Sequence, residues 1–229
     1  MTELFKLTLR TSNVDAARDF YAKVLGEASS LDIVQLHEQA VARGAKPHWL
    51  GFIQVDDVDA LTAKFVERGA AVLSPKWVNP LGLEAAVLRD PGGAIVALGK
   101  PPPNFASHGP AVAFRVLNTN DVETAKKNYG DLFGWTFKPA EKIETFDQIH
   151  PFLAAGGTEA SGAFVGIEGR SHVHPHWLFA MRVPELDAAI AAVKSGGGVV
   201  LPPFVLPSGE RVAVCDDAQG AAFALHAPK

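Results

Sequence analysis

Four stretches of the chain repeat one pattern of apolar and polar positions: FKLTLRTSNVDAARDFY (5–21), WLGFIQVDDVDALTAKF (49–65), AFRVLNTNDVETAKKNY (113–129) and WLFAMRVPELDAAIAAV (177–193). Each begins with a short run in which apolar side chains alternate, the period-two signature of a strand with one buried face. A turn rich in Asn, Asp, Thr or Pro follows, then Val or Leu beside an acidic residue. Apolar positions then recur at helical spacing, as in Val14, Ala17, Phe20 and Tyr21. Asn13, Asp57, Asp121 and either Glu185 or Pro184 stand where an N-cap is needed, so each stretch predicts a strand feeding a helix.

Similar tails follow the second and fourth stretches, ERGAAVLSPKW…LEAAVLRDPGGAIVALGK (67–100) and KSGGGVVLPPF…ERVAVCDDAQGAAFALHA (194–227). Each predicts a glycine helix stop, a strand ending in proline, and two strands joined by a turn, RDPGGA or DDAQGA. The pattern is β-α-β-β-β four times over, paired into two halves: residues 1–100 and 111–229. Between them, 101–110 carries consecutive prolines and polar residues and is the expected linker. Tyr21 and His48 stand 27 positions apart but Tyr129 and His176 stand 47 apart, so the first unit is short and is expected to lack about one strand. That loss would leave a sheet edge for a second subunit to cover, and a homodimer is one expectation.

Composition narrows the function. The chain has 229 residues, is 48% apolar and carries a formal charge of −4, with no basic run interleaved with aromatics, which argues against a nucleic-acid partner. No stretch approaches the ~18 apolar residues of a membrane helix, and no membrane partner is expected. A single cysteine, Cys215, fits a reducing compartment, and a cytoplasmic location is expected.

LRTSNVDAARDFYAKVLG (9–26), VLNTNDVETAKKNYGDLFGW (116–135), the two Pro-His-Trp strand entries at 47–49 and 175–177, and the tail DPGGAIVAL (90–98) resemble the vicinal oxygen chelate superfamily. That superfamily includes glyoxalase I, bleomycin-resistance proteins and extradiol dioxygenases. The resemblance implies an α+β fold of four βαβββ units paired into two glyoxalase-like open-cup domains. It also implies where metal-using members hold ligands: on the first strand of a unit, eight residues before the one that opens the helix, and in the last strand, seven after the turn aspartate. Those positions here are Lys6, Leu50, Phe114, Leu178, Ala97 and Ala224. A divalent cation needs imidazole, carboxylate or thiolate, and none of these supplies one. A third-strand ligand cannot be aligned, with Glu38 and Glu159 as the nearby carboxylates. No metal and no cofactor is the resulting expectation.

Alternation sorts the side chains of the first strands. Lys6, Thr8, Arg10, His48, Leu50, Phe52 and Gln54 share one face in the first half; Val112, Phe114, Val116, Asn118, His176, Leu178, Ala180 and Arg182 share it in the second. Phe5, Leu7, Leu9, Trp49, Ile53, Trp177, Phe179 and Met181 fall on the opposite, helix-covered side. The triplet His172, His174 and His176 reads as a repeat of the entry at His48 rather than as a metal site. The C-terminal cup is mainly apolar with polar ends, as expected of a site for a flat hydrophobic molecule. The candidate ligand-binding residues are Phe114, Val116, Asn118, His176, Leu178, Arg182, Lys6 and His48. Three functions remain open: a metal-independent module that binds a small, largely apolar or aromatic molecule; a metal-independent isomerase, lyase or hydrolase on a carbonyl substrate using Lys6, His48, His176 or Arg182; and a metalloenzyme whose ligands come from segments that cannot be aligned. No catalytic residue is assigned. Cys215 reads as a packed thiol, and the facing of Arg211 and His226 is left open.

Overall fold

The computed structural model describes residues 4–26, 31–106, 110–143, 146–170, 173–206 and 208–229; His172 lies outside them. In chain order the elements are β1 (Leu4–Thr11), α1 (Val14–Leu25), β2 (Ile33–Gln35), α2 (Glu38–Ala42), β3 (His48–Gln54), α3 (Val58–Glu67), β4 (Ala71–Val78), β5 (Glu84–Arg89) and β6 (Ile95–Lys100). They continue as β7 (Val112–Thr119), α4 (Val122–Phe133), β8 (Thr136–Phe137), β9 (Glu141–Ile143), β10 (Phe146–Leu153), β11 (Gly162–Gly166), β12 (His176–Arg182), α5 (Leu186–Ser195), β13 (Val199–Val200), β14 (Phe204–Val205), β15 (Arg211–Asp216) and β16 (Ala222–Ala227). The fold is mixed α+β with two curled, open-cup sheets. One has the order β2-β1-β3-β6-β5-β4; the other runs β13-β15-β16-β12-β7-β11-β10-β8, with β14 beside β15 and β9 beside β10.

The expected helix starts form for the expected reason. Asn13, Asp57 and Asp121 each accept a hydrogen bond from a backbone N–H in the first helical turn. Glu185 has cap geometry without that side-chain bond, because its longer side chain does not fold back as Asn or Asp does.

One expectation is corrected. The shortened first unit keeps β2, which pairs parallel with β1 through Leu9↔Ile33. Its counterpart is β11, parallel to β7 through Leu117↔Phe164. Among the described residues nothing in the first unit matches β8, β9 or β10, so the shortfall is more than the single strand expected. A second correction concerns Phe5, expected under a helix. Its ring meets Phe52 and Phe105 edge-on, at 6.3 and 5.5 Å between centroids. At the start of β1, burial against the linker decides where the side chain goes.

Contacts divide the chain into two compact units that do not follow the sequence halves. One comprises Met1–Lys6, Gly51–Ser107 and Arg115–Trp177; the other comprises Leu7–Leu50, His108–Phe114 and Leu178–Lys229. Each is built round the same three residue types. In the first, the buried Tyr129 hydroxyl donates to Asp90 Oδ2 (3.1 Å) and accepts from Trp177 Nε1 (3.3 Å). In the second, Tyr21 donates to Asp217 (3.2 Å) and accepts from Trp49 (2.9 Å). Each aspartate also ties its own turn, accepting from Ala94 N–H or Ala221 N–H.

Burial pushes both tyrosine hydroxyls well above their ordinary value, with the neighbouring aspartate adding to the effect. Burial likewise raises Asp90, against the backbone and tyrosine bonds that favour its ionised form. A carboxyl raised in the folded state binds its proton more tightly there than in the unfolded chain. Its contribution to stability is therefore full below the ordinary value near 3.8 and is lost as pH rises through the folded value. Chemical denaturation of the wild type and Asp90→Asn should show the wild type's relative stability falling as pH rises above about 4. A gap that does not change with pH would remove burial as the controlling effect.

Candidate functional site

The side-chain directions of β12 can be fixed from its contacts. Trp177 meets Tyr129 of α4, so odd-numbered residues of β12 face the helices. The even-numbered ones lie on the other side, where Ala180 is opposite Ala224 and Arg182 opposite His226. Trp49 and Tyr21 make the same statement for β3. His48, His176, Leu178 and Arg182 thus lie on the side away from the helices, and the candidate residues form small groups rather than one cluster.

In the first unit, Asn118 and His176 come together. The His176 Nδ1 lies 2.7 Å from the His174 carbonyl, which can only accept, so Nδ1 carries the proton. Its Nε2 is left with a lone pair, toward which Asn118 Nδ2 donates at 3.4 Å. Burial lowers the His176 pKa; the His174 carbonyl raises it, and the His174 ring lowers it further. The side chain is therefore a fixed, neutral hydrogen-bond acceptor. His174 itself is exposed, and the two rings lie 4.9 Å apart. Val116 is half-buried on the same strand face as Asn118. Lys6 places its ammonium 5.7 Å from the Phe52 ring centroid, a cation over an aromatic face.

In the second unit, His48 repeats the His176 geometry, its Nδ1 donating to the Lys46 carbonyl at 2.7 Å. The two Pro-His-Trp entries are thus one structural device used twice. Thr8 donates to Asp32 at 2.6 Å. Burial lowers the nearby Arg10, partly offset by Asp32. Leu50 is fully buried, so it fills its site rather than lining a space.

Phe114, Leu178 and Arg182 also belong to the second unit. Phe114 is half-buried, Leu178 buried and Arg182 exposed. Phe114 meets the His226 ring edge-on, with centroids 5.5 Å apart. His226 Nε2 lies 3.3 Å from Glu210 Oε1. Ser208 donates to the other Glu210 oxygen at 2.7 Å. Arg211, by contrast, points outward to an exposed ion pair with Asp187. Strand alternation alone does not fix the facing of His226, and Glu210 carries no local signal of a role. What signal there is for His226 lies in its position, two residues beyond Ala224 and hence on the same face of the last strand.

The positions that would carry metal ligands hold no donor set. Leu50, Ala97 and Ala224 are buried apolar side chains, and Glu38 and Glu159 are exposed. A divalent cation does not fit those residues. Cys215 is buried and donates to the Ala213 carbonyl; burial pushes its thiol up to about 12, which makes it a packed residue rather than a nucleophile. An open depression of about 270 Å³ bounded by Gln54, Asp57, Lys64 and Leu132 contains none of the grouped residues above.

Residues 111–225 match the family model described as Glyoxalase/Bleomycin resistance protein/Dioxygenase superfamily. The chain is 28% identical over 245 aligned positions to the "Putative glyoxylase CFP32" of Mycobacterium tuberculosis, covering 96% of this chain and 92% of that one. It is 30% identical over 186 positions to the "Anthracycline biosynthesis protein DauV" of Streptomyces sp., covering 77% of this chain and 64% of the relative. In structure it is similar to the Mn(II)-bound glyoxalase from Novosphingobium aromaticivorans (TM-score 0.65, 15% identity, 99% and 82% of the two chains). It is also similar to homoprotocatechuate 2,3-dioxygenase from Brevibacterium fuscum (TM-score 0.67, 15% identity, 100% and 81%). These solved structures share the fold. With the four repeated units, the two open-cup sheets and the match across the second half, the chain belongs to the Glyoxalase/Bleomycin resistance protein/Dioxygenase superfamily.

Proposed function

We propose that the protein binds a small, largely apolar or aromatic molecule against the Phe114 wall of its C-terminal sheet, without a divalent metal. The observation that carries this reading is the replacement of the family's ligand positions by Lys6, Leu50, Phe114, Leu178, Ala97 and Ala224. Five apolar side chains and a lysine in place of a charged metal centre change what the surface can recognise. A metal ion draws paired oxygens from a ligand, whereas an aromatic and aliphatic wall rewards flat apolar area. The relative named for anthracycline biosynthesis is in keeping with a role in handling small organic molecules.

Purified protein should hold well below one equivalent of Mn, Fe, Ni or Zn by elemental analysis, and a chelator should leave ligand binding unchanged. Native mass spectrometry of protein taken directly from cells should show a retained organic molecule. Near-stoichiometric metal, lost on chelation together with binding, would overturn the proposal.

A second reading, a metal-independent enzyme on a carbonyl substrate, draws support from His176. Its proton is fixed on Nδ1, and its neutral Nε2 has the lone pair a general base needs. Turnover of a retained carbonyl compound that disappears in His176→Gln, with binding kept, would favour it.

A further inference from the structure

Resting on the binding reading above, we infer that His226, held by Glu210 behind the Phe114 ring, is the polar anchor of the site. The ligand it takes carries a hydroxyl donor on a flat apolar body, as a phenol or naphthol does.

β16 lies between β15 and β12, so His226 has Val212 on one side and Arg182 on the other. Its Nε2 faces the Glu210 carboxylate at 3.3 Å. A carboxylate oxygen only accepts, so Nε2 carries the proton, and in the neutral ring Nδ1 is left with a lone pair. That Nδ1 is buried and has no hydrogen-bond partner among the described residues. Buried polar atoms are nearly always paired, so this unmet acceptor calls for a partner.

The surroundings supply the rest of a recognition site. Glu210 is kept ionised first by the Ser208 hydroxyl, with further help from His226 and Arg182. Glu210 at its Nε2 and Arg182 on the neighbouring strand are charged neighbours of His226. Phe114 meets the imidazole at an interplanar angle of 88° and is itself only half-buried. Being half-buried, Phe114 offers an incoming molecule an aromatic surface next to the imidazole.

The lone pair sets the chemistry of the partner. A carbonyl or ether oxygen brought to Nδ1 would be repelled, and a cation would have to leave water next to Arg182. A neutral hydroxyl meets neither obstacle. It can donate to Nδ1 while its ring packs on Phe114.

Matched probes test this on the unaltered protein at pH 8. 2-Naphthol and 2-methoxynaphthalene share a ring system and differ in the donor. Calorimetry should show 2-naphthol binding roughly ten-fold or more tighter, the value of one well-made buried hydrogen bond. In protein with ¹⁵N-labelled histidine, the His226 Nδ1 resonance should move with 2-naphthol and stay put with the ether. His226→Leu should erase the preference, and the resonance test does not depend on that variant folding. Equal affinities with Nδ1 unmoved would overturn the assignment to His226 and leave aromatic binding standing. Failure of both probes to bind would overturn the binding proposal, and this inference with it.

Discussion

Trp135→Ala is expected to lower the stability of the protein by about 3–5 kcal/mol, the usual cost of deleting a large buried aromatic side chain. Trp135 follows α4 directly, is 3% exposed and stacks on Phe152 with centroids 4.4 Å apart and planes 8° from parallel. Phe133, Tyr129, Phe164 and Trp177 also lie against it. Each neighbour is large and already packed against others, so the hole left by an indole cannot be closed by small shifts. A conservative partner, Trp135→Phe, retains the stack on Phe152 and should cost much less. For a chain of this size the alanine variant should melt roughly 6–20 °C lower, at about 2–4 °C per kcal/mol. A thermal or urea midpoint within about 1 kcal/mol of the wild type would show that the cluster is not what holds this unit together.

The same cluster shows what the sequence carried openly and what it concealed. The strand–turn–helix stretches were legible because period-two and helical patterns follow one another in each, and three of their caps are Asn or Asp with their bonds made. The cup-side and helix-side faces were legible because alternation needs no long-range knowledge, except at the strand start, where Phe5 turns toward Phe105. The fate of the short first unit was not legible. The strand it retains, β2, has three residues, too few for a pattern to declare itself. The two Tyr–Trp–Asp groups were visible only as separate signals. Asp90 and Asp217 read as ordinary turn formers, and nothing local says that a helix tyrosine will reach them. Glu210 and His226 are further still from local inference. They stand on opposite sides of the β15–β16 hairpin, and its register (Val212↔His226) brings them together.

That pairing sharpens the last expectation, which concerns Phe114. Phe114→Ala should weaken binding of 2-naphthol roughly ten-fold or more, a loss of about 1.4 kcal/mol or greater. Two effects act in the same direction. The variant removes the aromatic face on which the probe would stack, worth about 0.5–1.5 kcal/mol beyond the apolar area it buries at ~25 cal/mol per Å². It also removes the ring packed edge-on against His226, whose Nδ1 has no partner among the described residues, and opens the imidazole to water. Once water reaches that lone pair, a ligand hydroxyl must displace it and gains less from the bond. Leu50→Ala is the matched control from the other sheet. Leu50 is completely buried, so shortening it should cost stability and leave affinity nearly unchanged. Fluorescence titration of both variants at equal folded fraction separates the two effects. If Leu50→Ala loses the probe and Phe114→Ala keeps it, binding belongs to the N-terminal sheet. Lys6, with its ammonium over Phe52, then becomes the residue that meets the ligand.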